Sequence, residues 1–384
     1  MSHRPIRVFF YVQHLLGIGH LARASRLADA MVASGLSVTL VTGGTPVKGF
    51  PGPGIEHVQL PAVLAASGFS GLVDSVGNPV DADFETNRAA LLLAAFEAVQ
   101  PDVVVVEAFP FGRRQVRFEL LPLLDAIKST HPKPLLLSSV RDILQENRKP
   151  GRDKETADLV SEHFDGVLVH GDPHFCSLED TFPLAKTLSD KLYYTGLVAA
   201  PEPEPAEEEF DIVVSAGGGA VGAALIEAAM DAQAILGDSL GERLRWCLIT
   251  GPNLPEADFE RFSQRAPPAV ALYRFRPDFP ALLPKARLSI SQAGYNTVCD
   301  LLRARCPSLL VPFAAGGETE QTVRAEKLEA LGLAAVVLED GLNGEAMAKA
   351  IGGAVSLRFP ETLAISLNGA AETARLVKDL AQKR

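Results

Sequence analysis

Apolar residues in this chain form short continuous runs that alternate with longer stretches of helical periodicity. Residues 6–12 (IRVFFYV) precede a glycine-containing loop (QHLLGIGH), an amphipathic helix pattern (LARASRLADAMVASG) and a second run at 36–42. Further runs lie at 102–108, 134–140 and 166–171. Continuous apolar strands separated by helices are typical of a parallel sheet covered on both faces. The first half of the chain therefore predicts a Rossmann-like α/β domain.

The same order begins again after the proline- and glutamate-rich stretch 201–209 (PEPEPAEEE), which is not expected to pack and predicts a linker or an exposed edge. A strand, a glycine loop and a helix follow in FDIVVSAGGGAVGAALIEAAMDA. Further strand-like runs are RLRWCLITG, VALYRF, ARLSIS and PSLLVPF. We expect two Rossmann-like domains, at 1–199 and 200–356, with parallel sheets that face each other across a cleft. Residues 357–384 are expected to be helical and to pack back on the first domain.

Composition limits the partners and the location of the protein. The 384 residues are 47 % hydrophobic and 22 % charged, enough for two buried cores. A net charge of −11 argues against a nucleic-acid-binding surface. The cysteines, Cys176, Cys247, Cys299 and Cys306, lack metal-ligand spacing and are expected to be reduced thiols.

Two apolar stretches bear on membrane contact. The N-terminal run is too short for a signal peptide or a membrane span, so we expect a cytoplasmic protein. Residues 60–73 (LPAVLAASGFSGLV) predict core or a loop packed on the sheet, and alternatively a lid or a lipid-facing patch. Any membrane contact is expected to be peripheral, at the inner face.

The glycine loop 216–222 (AGGGAVG) follows a strand and opens a helix. Many such loops are only tight turns, but the geometry also presents backbone N–H groups and a helix dipole to a phosphate. The loop does not match G-x-x-x-x-G-K-[ST], which disfavours a P-loop NTPase. A dinucleotide enzyme needs an acid at the end of the next strand, whereas Asp238 lies in a loop, which disfavours a dehydrogenase. We expect Gly217, Gly218 and Gly219 to offer backbone donors to a diphosphate.

The segment ARLSISQAGYNTVCD is a second strand-to-helix unit with chemistry at its turn. Gly294 and Asn296 lie in a loop whose backbone can approach a phosphate, and Asp300 lies in the following helix. After the next strand, Glu320 and Gln321 lead into another helix. The acids could merely cap helix dipoles, an effect of about 0.3–1 kcal/mol. Two adjacent strand ends with carboxylates and amides beside a phosphate cradle nevertheless indicate a site for a ribose, a diphosphate and a sugar.

His20 ends the first glycine loop, where the first helix begins. It could be a helix-entry residue without a chemical role. Ligands of open α/β sheets bind at the carboxyl ends of the strands, however, and a histidine there can act as a general base toward an acceptor hydroxyl. Glu107 and Asp142 are alternative bases, because each follows a strand on the same side.

These motifs resemble glycosyltransferase family 28, whose members have the GT-B fold. The resemblance is most specific over 286–334, weaker over 8–44, and covers the whole chain in architecture. It implies transfer of a sugar from a nucleotide diphosphate sugar, UDP-linked, to an acceptor hydroxyl, with inversion. The sequence has no metal-binding D-x-D motif in a convincing loop, so we expect helix dipoles and backbone N–H groups to stabilise the leaving group without a metal ion or cofactor. The expected partners are the nucleotide sugar and a carbohydrate, glycolipid or small-molecule acceptor.

The resemblance also implies roles for individual residues. Asp300 would hold the ribose of the nucleotide, and Glu320 and Gln321 would hold the hydroxyls of the donor sugar. The full set implied for the donor is Gly217, Gly218, Gly219, Phe275, Arg276, Gly294, Asn296, Thr297, Asp300, Glu320 and Gln321. Gly17 and Gly19 would form the acceptor or diphosphate loop beside His20. Three consecutive glycines in place of the family's serine and glutamine indicate a separate branch of the family.

Two other functions fit the same pattern. A nucleotide-sugar epimerase would share the fold and the donor but need no acceptor. A non-catalytic nucleotide-sugar-binding subunit would keep the donor site without a base. Because the chain contains both predicted domains and a candidate base, we favour a transferase.

Overall fold

A computed structural model describes residues 4–15, 19–66, 71–146, 149–217, 222–237, 244–314 and 317–384. The contacts of these residues divide the chain into two compact units. Unit 1 comprises Met1–Val198 and Ile365–Arg384, and unit 2 comprises Ala199–Ala364. Each unit is an α/β domain built on a parallel sheet, so the predicted pair of Rossmann-like domains is confirmed.

Within the described residues, the main sheet of unit 1 has seven parallel strands. They are β1 (Arg7–Val12), β2 (Ser37–Thr42), β3 (Glu56–Gln59), β6 (Val103–Glu107), β7 (Leu135–Arg141), β8 (Gly166–His170) and β9 (Leu192–Tyr194), with the antiparallel pair β4 (Leu64–Ala65) and β5 (Leu72–Val73) beside the sheet. Their order is β3-β2-β1-β6-β7-β8-β9. The central strand β6 reads VVVVE and is buried at every residue, as a strand with both faces covered requires.

The helices of unit 1 cover this sheet. Those before the linker are α1 (Gly19–Ala33), α2 (Ala82–Val99), α3 (Arg117–Ser129) and α4 (Arg152–His163). Leu21, Ala24, Ala28 and Met31 of α1 recur every three or four residues and are buried, which fixes the face that packs on the sheet. The start of α2 is fixed by Asp81, whose side chain accepts a hydrogen bond from the Phe84 N–H.

Unit 2 repeats this architecture, and its described residues form a sheet of six parallel strands. These are β10 (Ile212–Ser215), β11 (Trp246–Ile249), β12 (Val270–Tyr273), β13 (Leu288–Ser291), β14 (Ser308–Leu310) and β15 (Ala335–Val336). Their order is β12-β11-β10-β13-β14-β15. The helices are α5 (Ala223–Leu236), α6 (Glu256–Arg265), α7 (Phe279–Leu282), α8 (Tyr295–Ala304), α9 (Glu320–Ala330) and α10 (Gly344–Ala354).

The last helix, α11 (Gly369–Gln382), belongs to unit 1 and packs on α1. Its first residue lies close to the backbone of Leu197, because the Gly369 N–H donates to the Leu197 carbonyl at 3.0 Å. Near its end, Nζ of Lys378 donates to the Ser34 carbonyl at 3.1 Å. Unit 1 is therefore discontinuous in sequence, and its last helix follows unit 2 along the chain.

The acidic stretch that predicted a linker is only partly free of structure. Residues 201–206 have no regular structure. Glu208, however, is paired with Nη1 of Arg276 at 2.8 Å, and Glu209 with Nζ of Lys285 at 2.6 Å. The run is thus an exposed segment, as expected, whose last acids also form surface ion pairs with basic residues of unit 2.

Residues 60–73 are partly core. Leu60 and Val63 are buried, and the β4–β5 pair follows them; residues 67–70 lie outside the described residues. In the described part of the chain, no helix has both the length and the apolar character needed to cross a membrane. The cysteines Cys176, Cys247, Cys299 and Cys306 are buried and are not joined in disulfides.

Candidate functional site

The order of the strands in unit 1 places a crevice between β1 and β6. The sheet extends from β1 through β2 in one direction and from β6 through β7 in the other. Loops that leave two such strands diverge, and ligands of open α/β sheets bind at this switch point. Gly19 and His20 begin α1 after β1, and Glu107 ends β6. The structure thus places two of the predicted residues and one alternative base together, while Gly17 lies outside the described residues.

His20 and Glu107 form a direct pair at this switch point. Nδ1 of His20 lies 2.6 Å from Oε1 of Glu107. The Glu107 side chain is 1 % exposed, whereas that of His20 is 22 % exposed. Arg23, one helical turn after His20, donates from Nη2 to the same carboxylate oxygen. The carboxylate therefore lies behind the imidazole, and the imidazole reaches solvent.

The surroundings of His20 hold its ring neutral near pH 7. Burial lowers the pKa of His20 to about 4, an effect that Glu107 opposes and that Arg113 and Arg23 reinforce. Burial alone would raise the pKa of Glu107, but His20, Arg23 and Arg113 together hold it well below its usual range. An ionised carboxylate only accepts hydrogen bonds, so Nδ1 of the neutral ring carries the proton and Nε2 has a lone pair. This is the state that a general base requires.

The two alternative bases lie in closed surroundings. Glu107 is engaged by His20 and Arg23, and its place is that of the residue that orients the base. Asp142 is fully buried after β7, and its Oδ1 accepts the N–H of the next residue, Ile143, at 2.9 Å. Of the three candidates, His20 is the most accessible to an acceptor.

Two arginines of this site were missed by the sequence analysis. Arg23 is buried on α1 three residues after His20. Arg113 has a left-handed backbone with φ of 58°, and its Nε lies 4.0 Å from Oε2 of Glu107. The spacing of His20 and Arg23 on one helix face was a usable signal, since such residues are neighbours on a helix. Arg113 offered no local signal.

A buried network supports the loop after β1. Arg88 and Glu119 have fully buried side chains and pair through Nε and Oε2 at 2.6 Å. The hydroxyl of Tyr11 donates to Oε1 of Glu119. Nη2 of Arg88 also donates to Oε1 of Gln13 at 2.5 Å, which fixes the first residue after β1. The network ties α2 and α3 to the strand that leads into the site.

Unit 2 has its own switch point, between β10 and β13. Gly217 follows β10 with φ of 72°, a conformation that favours glycine. A Cβ at this residue would lie 3.1 Å from Oε1 of Gln292, which follows β13. Gln292 is buried, and its Nε2 has no hydrogen-bond partner among the described residues. Gln292 was not predicted as a site residue, and Gly218 and Gly219 lie outside the described residues.

The N-terminus of α8 lies at the same edge of unit 2. Gly294 is its N-cap residue, with no side-chain capping hydrogen bond. A Cβ at Gly294 would meet no described atom within 4 Å, so internal packing does not explain the glycine. Asn296 and Thr297 are half-buried in the first turn, and Asp300 is buried in the next. The positive end of a helix dipole here favours an anion.

Glu320 and Gln321 begin α9, but each has a partner within the protein. Glu320 is buried, and its Oε1 accepts from Nη2 of Arg324 at 2.7 Å. Nη1 of Arg324 also donates to the Ala293 carbonyl at 3.0 Å, in the loop after β13. Oε1 of Gln321 accepts the Phe313 N–H at 3.2 Å. Glu320 therefore contacts the loop before α8 only through Arg324, which was not predicted as a site residue.

Phe275 and Arg276 follow β12, which is the edge strand of the sheet and is separated from β10 by β11. Phe275 is 59 % exposed. Arg276 pairs with Asp278 at 2.7 Å and with Glu208 at 2.8 Å, and these carboxylates raise its pKa. Phe275 thus presents an exposed ring, whereas Arg276 is engaged by two acids of its own unit.

Comparison with known proteins agrees with this architecture. The C-terminal domain of glycosyltransferase family 28 matches residues 212–364, which run from β10 to the end of unit 2. Over 381 residues the chain is 26 % identical to the UDP-N-acetylglucosamine--N-acetylmuramyl-(pentapeptide) pyrophosphoryl-undecaprenol N-acetylglucosamine transferase of Novosphingobium aromaticivorans, covering 94 % of this chain and 88 % of the relative. The chain is a glycosyltransferase, and its second unit is similar to the C-terminal domain of family 28.

Solved structures give the fold of this glycosyltransferase. The glycotransferase of kitacinnamycin matches with a TM-score of 0.65 at 16 % identity, over 99 % of this chain and 100 % of that one. MurG of Acinetobacter baumannii matches with a TM-score of 0.62 at 16 % identity, again over 99 % and 100 %. The fold is GT-B. The resemblance stated from sequence, the GT-B fold and the assignment as a transferase are confirmed.

Proposed function

We propose that this glycosyltransferase transfers a sugar from a UDP-linked donor to an acceptor hydroxyl, with inversion and without a metal ion or cofactor. Unit 2 binds the donor, and unit 1 supplies the base. The pairing of Nδ1 of His20 with Oε1 of Glu107 at 2.6 Å, at the switch point of unit 1, carries this proposal. Similarity to the Novosphingobium aromaticivorans transferase, whose name includes UDP-N-acetylglucosamine, supports the choice of UDP.

In the proposed step, Nε2 of His20 takes the proton of the acceptor hydroxyl. The hydroxyl oxygen bonds to the anomeric carbon as the bond from that carbon to the diphosphate oxygen breaks. Glu107 stabilises the imidazolium that forms, because its carboxylate faces Nδ1. The arrangement is the carboxylate–histidine pair that general-base catalysis uses.

The leaving diphosphate gains negative charge in this step. We assign its stabilisation to the N-terminus of α8 and to backbone N–H groups of the glycine loop after β10, which includes Gly217, Gly218 and Gly219. Gly294 leaves room for close approach of a phosphate, and the buried amide of Gln292 is a further donor at this edge. Asp300 is assigned to the ribose, as the family resemblance implies.

The acceptor side is open to carbohydrates, glycolipids and small molecules. The name of the Novosphingobium aromaticivorans relative includes pyrophosphoryl-undecaprenol, so lipid-linked saccharides are the first acceptor class to test. Transfer to such an acceptor would place the enzyme at the cytoplasmic face of the membrane as a peripheral protein.

Donor binding is tested by calorimetry and thermal unfolding with UDP, GDP, dTDP and ADP. Saturation at 100 times the dissociation constant should stabilise the fold by about 2.7 kcal/mol. Asp300→Ala should remove the UDP response, while Asp340→Ala, at an exposed residue of unit 2, should keep it. No response of the wild-type chain to any nucleotide would refute the donor assignment.

The base is tested by UDP release from UDP-sugars in the presence of a panel of acceptors. His20→Gln should lower kcat at least about 100-fold, the usual scale of general-base catalysis, and leave the UDP dissociation constant unchanged. His174→Gln, at an exposed histidine, is the matched control. Equal kcat in His20→Gln would reject His20 as the base, and an epimerised nucleotide sugar formed without acceptor would reject transfer.

A further inference from the structure

Glu107 is shared by two donors of α1. Nδ1 of His20 lies 2.6 Å from Oε1, and Nη2 of Arg23 donates to the same oxygen. Nη2 of Arg23 is 3.5 Å from Nδ1 of His20. The side chains of Arg23 and Glu107 are 3 % and 1 % exposed, so solvent screens their interaction little. The charge of each group in this cluster therefore acts strongly on the other two.

A buried carboxylate requires a positive partner. If Arg23 were replaced by an uncharged residue, the adjacent His20 could supply the charge by taking a proton on Nε2. That proton would occupy the lone pair that the base needs. Arg23 supplies the charge permanently, because a guanidinium does not lose its proton in proteins. The cluster of carboxylate, guanidinium and neutral imidazole then carries no net charge.

We propose that Arg23 is a positioning residue of the transfer reaction, which balances the charge of Glu107 and so keeps His20 as a neutral ring with its proton on Nδ1. Arg23 acts through Glu107 and not on the substrate. The inference rests on the proposed role of His20 as the base. It adds a residue that neither the motifs nor the family match assigns, and it explains why an arginine is buried one turn after that histidine.

Other charged groups face the same cluster. Arg113 approaches the second oxygen of Glu107, with Nε 4.0 Å from Oε2, and it lowers the pKa of His20 more strongly than Arg23 does. His170 of β8 is fully buried and stays neutral, because burial, followed by Arg23, lowers its pKa to about 3. The positive charge of Arg141, at the end of β7, contributes to the lowering of the pKa of Arg113, which is caused mainly by burial. Of these groups, Arg23 is the one in hydrogen-bond contact with the oxygen that His20 uses.

The direct test is the protonation of His20 in the full-length chain, followed by NMR of ¹⁵N-labelled histidine. His20→Gln assigns the signal. In the wild-type chain the signal should show the neutral form with its proton on Nδ1 at pH 7. In Arg23→Met the pKa of His20 should rise by at least one unit, an about tenfold gain in proton affinity. Arg23→Lys, which keeps the charge, should restore most of the wild-type titration.

Arg26→Met is the matched control, since Arg26 lies on the same helix and its Nη1 donates to the Val198 carbonyl at 3.2 Å. It removes the same charge from α1 and should leave the titration of His20 unchanged. An unchanged titration and tautomer in a folded Arg23→Met chain would overturn the proposal and leave Arg23 a structural ion pair. If Arg23→Met does not fold, Arg23→Lys and Arg23→Gln are compared instead, and equal titrations of His20 in these two would have the same meaning.

The kinetic test separates this inference from the proposed function. In Arg23→Met the acid limb of kcat should move to higher pH by the same amount as the titration of His20, with the UDP dissociation constant unchanged. A shifted titration in a chain whose kcat does not depend on His20 would uphold the electrostatic role and reject the base. A shifted acid limb without a shifted titration would reject the role assigned to Arg23.

Discussion

Arg88 provides a sharp test of how unit 1 is held together. Its guanidinium donates to Glu119 from Nε at 2.6 Å and from Nη2 at 3.0 Å, and both side chains are fully buried. Nη1 also donates to the Gly43 carbonyl at 2.9 Å. Arg88→Met fills a similar volume but leaves the Glu119 carboxylate buried without its cation. Breaking a buried pair in this way costs about 3–5 kcal/mol of unfolding free energy.

The expected loss can be measured by urea unfolding. With a slope of about 2 kcal/mol per molar urea, the loss moves the midpoint of unit 1 down by about 1.5–2.5 M. Far-UV circular dichroism follows both units, whereas the single tryptophan, Trp246, lies in unit 2 and reports that unit. We expect a lower-urea transition in the dichroism that is weak or absent in the fluorescence of Trp246.

Two further variants decide whether the cost comes from the buried charge. Arg4→Met removes an arginine that pairs with Asp102 at 2.7 Å, but these side chains are 60 % and 31 % exposed, so the cost should stay below about 1 kcal/mol. Adding Glu119→Leu to Arg88→Met removes the stranded carboxylate and should recover part of the loss. If Arg88→Met costs no more than Arg4→Met, the reasoning about a dry ion pair is refuted.

Three other predictions concern the base, the donor edge and the last helix. The folded pKa of His20 is about 4, below its ordinary value of 6.5, so kcat/KM should fall only as the pH drops through about 4. The stability that the neutral ring contributes should be lost between pH 6.5 and 4. An acid limb near 6.5 in the pH–rate profile would contradict this. Gly217→Ala puts a Cβ at positive φ and 3.1 Å from Gln292, so UDP should bind about tenfold more weakly by calorimetry, and an unchanged dissociation constant would remove this turn from the donor site. Gly369→Ala puts a Cβ 2.3 Å from the Gly196 carbonyl oxygen and should lower the Tm by about 4 °C or more. Gly352→Ala in α10, where a Cβ would meet no described atom within 4 Å, should not lower the Tm. Equal Tm values for the two variants would show that α11 shifts to accommodate the Cβ without loss of stability.

The fold followed from local pattern to a large extent. The central strands of both sheets were predicted because burial on both faces requires continuous apolar runs, such as VVVV in β6. The short outer strands β3, β9 and β15 were missed, because partly exposed edge strands need no such run. The acidic run at 201–209 was predicted as an unpacked linker, since its basic partners lie far along the chain.

The candidate site divides in the same way. The glycine turns, His20 and Asp300 were proposed from the sequence as site residues, because a turn between strand and helix is a local event with its own residue preferences. The pairing of His20 with Glu107 spans 87 residues, and that of Arg23 with Glu107 spans 84. Sequence reasoning treated His20 and Glu107 as competing bases, whereas the structure makes one the partner of the other.

Strands, helices and glycine turns follow from local residue preferences, because those preferences act over a few residues. Which charges are buried together depends on the folded chain. Folding places Arg23 beside Glu107 and Arg324 beside Glu320, and it leaves His20 partly accessible while Asp142 is fully buried. The protonation state of a side chain depends on burial and on charges a few ångströms away, and only the folded chain brings distant residues that close.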